Sequence, residues 1–200
     1  LTIGAVGAAI IASTAVPASA AGTRVVEPQY GFAFRLPAKW VQVPLDGSDI
    51  SGLLAIATKA DPSLENALSA EVKQAAEKGI KFFAVGPVVG TQTPNMNIFV
   101  GSAGGAPAGN AFFKVAAAQV KISLAQAGMK NLKTSVVKFQ SGKALQVTYS
   151  ISANPPVSAM YGDQIYVVHK SNLDVITFTS TSTASAQRVA SVVEKSWSWK

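Results

Sequence analysis

The chain of 200 residues contains no cysteine and one histidine, and charged side chains make up only 14% of it. Each scarcity removes a class of chemistry. Without cysteine there is no disulfide framework, no thiol nucleophile and no thiolate metal site. A lipoprotein signal needs a cysteine at its cleavage point, so a diacylglyceryl anchor is not expected. His169 alone cannot build a multi-histidine metal site, and a zinc site here would need mostly carboxylates. Lys and Arg number 17 against 10 Asp and Glu, a formal net charge of +7, but the lysines are scattered singly. No aromatics alternate with them as a base-stacking platform requires, so nucleic acid is not an expected partner. The surplus serves either a solvated surface or attraction to anionic lipid headgroups and wall polyanions.

What is present is apolar. Hydrophobic residues make up 48% of the chain. Residues 1–16 (LTIGAVGAAIIASTAV) are uncharged, Pro17 interrupts them, and Ala18-Ser19-Ala20 follows. An apolar run ending in an A-x-A site reads as a secretory signal peptide over 1–20. Retention of the same run as a membrane anchor is the competing reading. Residues 21–200 then form a single domain. A chain of that size buries about 70% of its unfolded surface, enough for a core held by packing alone. The expected location is secreted or associated with the cell envelope.

Residues 30–36 (YGFAFRL) alternate and read as a strand, with a second extended piece from Trp40 to Val43. Turn chemistry over 45–52 precedes an apolar run at 53–59. Asp61-Pro62 opens a helix whose stripe is Leu64, Leu68 and Val72, and Gly79 closes it. Strands are expected at 81–85 and 95–100. Asn110 is expected to cap a long helix with Phe113, Ala116, Val120, Leu124 and Ala127 on one face, ended by Gly128. Residues 132–139 and 144–151 form one hairpin, and 164–170 and 174–179 a second around Ser171-Asn172. Asn154-Pro155-Pro156 forces a loop between them. The last helix is expected from about Ala184 to Trp199, burying Ala186, Val189, Val193 and Trp197. Hairpins imply antiparallel neighbours and amphipathic helices need a sheet to cover, so the fold class is α+β.

Gly31-Phe32-x-Phe34-x-x-Pro37-x-x-Trp40 resembles the opening motif of PsbP-like domains. The closing helix with Ser196-Trp197 resembles that family's end. The resemblance spans about Arg24 to Trp199 and implies an α/β/α sandwich, a central antiparallel sheet with helices on its faces. It also implies a non-catalytic binding or assembly role. The alanine-rich, exported character resembles the LpqN-like envelope proteins of mycobacteria, often lipoproteins, from which this chain departs by lacking the cysteine.

Few motifs carry chemistry. Residues 104–111 (GGAPAGNA) place glycines at G-x-x-x-x-G between a strand and a helix, but Asn110-Ala111 stand where a phosphate loop needs Lys then Ser or Thr. A flexible loop is the better reading. His169 lies in a strand pattern, and no G-x-S-x-G elbow accompanies it, so a sheet-surface histidine is expected. Asp46, Asp49, Asp163 and Asp174 all fall at turns or hairpin ends. No catalytic, metal or cofactor site is therefore expected. Trp40, Met160 and Tyr161 lie at loop edges and are the candidate ligand-binding residues, able to grip an apolar ligand at a pocket mouth. The function expected is a non-enzymatic envelope accessory that binds a protein partner or an amphiphilic lipid. A hydrolase of envelope esters or glycans is the alternative, and it requires His169 in a cleft beside a serine and a carboxylate. A structural wall-associated protein is a third.

Overall fold

A computed structural model of the chain describes residues 22–45, 77, 79–87, 94–105, 109–140, 142–152 and 159–200. The expected signal peptide, the 45–52 turn beyond Leu45, the 53–59 run, the helix opening at Asp61 and the Asn154-Pro155-Pro156 loop lie outside the described residues.

Among the described residues, seven strands form one antiparallel sheet. They are β3 (Val41–Val43), β4 (Ile80–Val85), β5 (Asn95–Ser102), β6 (Lys130–Phe139), β7 (Gly142–Ile151), β8 (Met160–His169) and β9 (Asn172–Ser180), in spatial order β3-β4-β5-β9-β8-β7-β6. The β6–β7 and β8–β9 hairpins follow the expected pattern. The second turns at Lys170, whose φ of 54° is left-handed, so the turn sits one residue earlier than Ser171-Asn172. β5 pairs with β9 along its whole length, from Asn95 opposite Thr179 to Ser102 opposite Asn172, and this joins the two halves of the chain.

Alternation along each strand divides the side chains between two faces. On one face Phe82, Met96, Ile98, Ile165, Ile176 and Phe178 build the larger core beneath the helix α2 (Thr183–Ser196). On the other, Leu145, Val147 and Tyr149 pack with Phe113, Leu124 and Met129 from α1 (Asn110–Gln126) and the turn that follows it. The domain is therefore an α/β/α sandwich with an antiparallel middle layer. Gly162 permits one close approach: a Cβ there would collide with the ring of Tyr149 on the neighbouring strand.

Two helix ends differ from the sequence expectation. Gly109, not Asn110, takes the capping position of α1, in extended conformation; its carbonyl accepts from Phe113 N–H at 3.1 Å, which closes the first turn there. Ala127 is the C-cap and is exposed rather than on the buried face, and Gly128 ends the helix at φ 83° as expected. α2 is capped by Ser182, whose hydroxyl accepts from Ser185 N–H at 3.1 Å, but it stops at Ser196 rather than Trp199. The Ser196 hydroxyl bonds back to the Val192 carbonyl at 2.8 Å and accepts from Arg35 N–H at 2.9 Å. Trp197 then turns extended, and Ser198–Trp199 becomes a short strand, β10. It pairs with β2 (Phe32–Arg35), which also pairs with β1 (Arg24–Glu27). This second sheet, β1-β2-β10, was not legible in the sequence. β1 is only four residues long, with Val25 its single buried side chain, too short to show a period.

Candidate functional site

Among the described residues a partly open apolar cavity of about 340 Å³ lies between α1 and the sheet. Its floor is built by register. Phe99 of β5 stands opposite Val175 of β9, which stands opposite Tyr166 of β8, so three strands bring their large side chains to one level. Its roof is the side of α1 that carries Phe112, Ala116 and Val120, with Gln119 and Ser123 on the same wall. Small and polar residues in the roof leave volume over the aromatic floor, and packing does not close it.

Tyr166 joins this cavity to a polar row on the same sheet face. Its ring lines the cavity, and its hydroxyl donates to Gln164 Oε1 at 2.7 Å. Gln164 Nε2 in turn donates to Thr177 Oγ1 at 3.2 Å. Thr177 faces Asn97 across the β5–β9 pair, and Thr179 faces Asn95 one step further on. All five of Gln164, Thr177, Thr179, Asn95 and Asn97 are buried. Both amide atoms of Asn95 and Oδ1 of Asn97 have no hydrogen-bond partner. Burial pushes the Tyr166 hydroxyl above the usual phenol range, so it stays protonated and acts as a donor. None of those five polar residues lines the cavity, and Tyr166 is the residue that links the two.

The candidate residues read from the sequence lie elsewhere. Trp40 and Met160 are buried, and Trp40 belongs to the core on the α2 side, packed so closely on Gly86 that a Cβ there would come within 2.7 Å of its ring. Tyr161 is half-buried on β8. None of the three lines the cavity under α1. The loop-edge positions of Trp40 and Met160 in the sequence did not make them exposed: Trp40 packs on Gly86, and Met160 begins β8 opposite Ile151.

His169 does not stand free on the sheet surface. Its ring stacks on Trp199 with centroids 4.0 Å apart and planes 3° from parallel, and Nε2 is buried without a partner. Burial, followed by the charge of Lys170, holds its pKa below the usual value. Asp174 lies diagonally across the hairpin from it, buried and with neither carboxylate oxygen paired. Asp163 is buried beside Gln146, whose Nε2 reaches both carboxylate oxygens at 3.0 and 2.9 Å. Asp163 and Asp174 are thus buried positions within strands, not the turn residues flanking a hairpin that the sequence suggested. Among the described residues no group of three or more His, Asp or Glu is placed to hold a metal ion.

No family model and no curated protein matches the chain. Solved structures do match. LpqN of Mycobacterium tuberculosis, described as involved in cell envelope biogenesis, superposes with a TM-score of 0.50 at 13% identity, over 88% of each chain. The cyanobacterial PsbP of Synechocystis superposes with a TM-score of 0.48 at 12% identity, over 94% of this chain and 98% of that one. The fold is that of LpqN. A Bacteroides thetaiotaomicron protein matches with a TM-score of 0.49 at 15% identity over 90% of this chain, which spans about half (48%) of that protein's length. Phe32 and Phe34 of the aromatic opening motif both project from β2 into the core.

Proposed function

We propose that this domain is an exported, non-enzymatic accessory of the cell envelope that holds an amphiphilic lipid by its acyl chain in the cavity under α1. The cavity itself carries the reading. At about 340 Å³ it lies at the lower end of the roughly 300–1,000 Å³ typical of ligand pockets. An apolar cavity of about 150 Å³ accepts one benzene ring, so this one has room for a single chain of roughly a dozen carbons. Export is supported by the apolar run and A-x-A site of residues 1–20. The envelope setting is supported by the shared fold with LpqN.

A saturable titration with a fluorescent fatty-acyl probe tests this. Ala116→Phe and Val120→Phe place extra ring volume in the roof of the cavity, and each should weaken capture at least tenfold. Equal affinity in the parent and both filled variants, or no saturable binding in the parent, removes the cavity from consideration. Native mass spectrometry of the protein from its own envelope then identifies the lipid it carries.

A further inference from the structure

The ten acidic residues are divided unevenly along the chain. Seven precede Lys78 and three follow Gly162; between 78 and 162 there is not one Asp or Glu, while lysines stand at 78, 81, 114, 121, 130, 133, 138 and 143. No single stretch is dense enough to show as a charged block, but the fold gathers part of this segment onto one side. α1, β6 and β7 all fall within it.

The outward side of α1 is also unusually apolar. Ala111, Val115, Ala118, Ile122 and Ala125 are exposed at spacings of three and four, which makes a continuous stripe along the helix. Val115 is 62% and Ile122 59% exposed. Lys114 and Lys121, one heptad apart and both exposed, flank the stripe. On the edge strand β6, Val136 stands opposite Leu145 and Lys138 opposite Lys143, so both project to the same sheet face that α1 covers. Three of the five large exposed hydrophobics of the described residues, Val115, Ile122 and Val136, therefore share one side of the molecule. A solvated helix normally turns its charged face outward. α1 instead carries apolar residues both inward and outward, with cations at the margin and no acid. That is the pattern of a helix lying in a lipid interface, where lysine stems run along the apolar surface and their ammonium groups reach the headgroups.

We infer that the α1–β6 side docks this protein on an anionic lipid bilayer, with Val115 and Ile122 entering the interface and Lys114, Lys121 and Lys138 on the headgroups. A soluble polyanion is the weaker match to this surface, because it would need the lysines and make no use of the apolar stripe. The inference deepens the lipid-holding reading above, since Val115, Ala116 and Gln119 also border the cavity. The docked side is then the side from which a chain enters it.

Vesicle co-sedimentation tests the docking apart from the cavity. The probes are phosphatidylcholine vesicles with and without about one-third phosphatidylglycerol, at low and high salt. Lys114, Lys121 and Ile122 lie outside the cavity lining and are exposed, so their variants should melt like the parent. The parent should bind the anionic vesicles, with binding falling as salt rises. Lys114→Gln/Lys121→Gln should lower the partition coefficient about thirtyfold, from about fivefold per lysine. Ile122→Ser should lower it about tenfold. Three results would overturn the inference: parent binding that is equal on neutral and anionic vesicles, a double lysine variant that binds as the parent does, or an Ile122→Ser variant that does, since the last would leave a purely electrostatic contact. Parent protein that docks yet takes up no acyl probe would refute the cavity reading alone, and parent that takes up probe yet does not dock would refute this one alone.

Discussion

Replacing Trp197 by alanine should cost more stability than any other single truncation in the core. The side chain is 2% exposed and meets four other aromatic rings. It stacks on Phe34 at 5.3 Å and 7°. It also lies 4.8 Å from Phe32, 5.5 Å from Phe139 and 5.4 Å from Trp199. A buried tryptophan removes about 200–250 Å² from water, about 5–6 kcal/mol at roughly 25 cal/mol per Å². Alanine retains about 1 kcal/mol of that, and the cavity left behind is only partly refilled. The expected loss is therefore about 4–5 kcal/mol, the upper end of what Phe or Trp truncations cost. Against a typical total of about 5–15 kcal/mol, the variant should be near the edge of folding. Trp197 Nε1–H is buried with no acceptor. Trp197→Phe removes that unpaired donor while keeping much of the ring surface, so the two effects oppose and the loss should stay below about 2 kcal/mol. Urea unfolding followed by far-ultraviolet circular dichroism measures both without relying on tryptophan emission. A Trp197→Ala midpoint equivalent to less than about 1 kcal/mol of destabilisation would mean that the ring is not the hub joining the small sheet, α2 and the large sheet.

Three further outcomes are expected. Gly162→Ala should lower stability by about 1–3 kcal/mol, because its methyl group meets the Tyr149 ring; Tyr149→Ala in the same chain should recover part of the loss in thermal melts, and a purely additive double variant would contradict the contact. Ser182→Ala should cost about 1 kcal/mol through the lost cap on Ser185 N–H, and an unchanged urea midpoint would argue against that cap. Burial raises Asp163 from 3.8 to about 6, with the Gln146 hydrogen bond opposing, and raises Asp174 from 3.8 to about 7. The folded state then holds more protons than the unfolded one between those limits, so these two groups make stability fall as pH rises from about 4 to about 7 and level off above. His169, held below 6.5, works against that trend on the acid side. Urea midpoints across this range should flatten in Asp174→Asn, and an identical slope in parent and variant would remove Asp174 as the source.

Much of the fold was legible because its strands and helices obey simple periods. The hairpins β6–β7 and β8–β9 are built from strands of nine or ten residues separated by short turns, and α2 carries Ala186 and Val193 at helical spacing. The candidate site was not legible, for two reasons. The spacing of Phe113, Ala116, Val120 and Leu124 gives the side of α1 that meets the sheet, but not the strand register that sets Phe99, Val175 and Tyr166 beneath it. The choice of Trp40 and Met160 rested on their neighbours in the chain, but Trp40 is buried by its approach to Gly86, far along the sequence and close in space. The absence of acid from 78 to 162 was available in the sequence; spread over so many residues, it becomes a surface only when α1 and β6 are laid side by side.

The sequence by itself determined the class of the protein: an α+β sandwich without cysteine, built from hairpins and covering helices, and so without thiol chemistry. Those properties follow from composition and from periods of two and 3.6, which are local. Only the tertiary structure decided that Trp197 leaves the helix, with its ring stacked on Phe34 and tilted against Phe32, residues far from it in the chain. Only it set Phe99, Val175 and Tyr166 at one level as a cavity floor, because strand register across β5, β9 and β8 is fixed by pairings between residues distant in the chain.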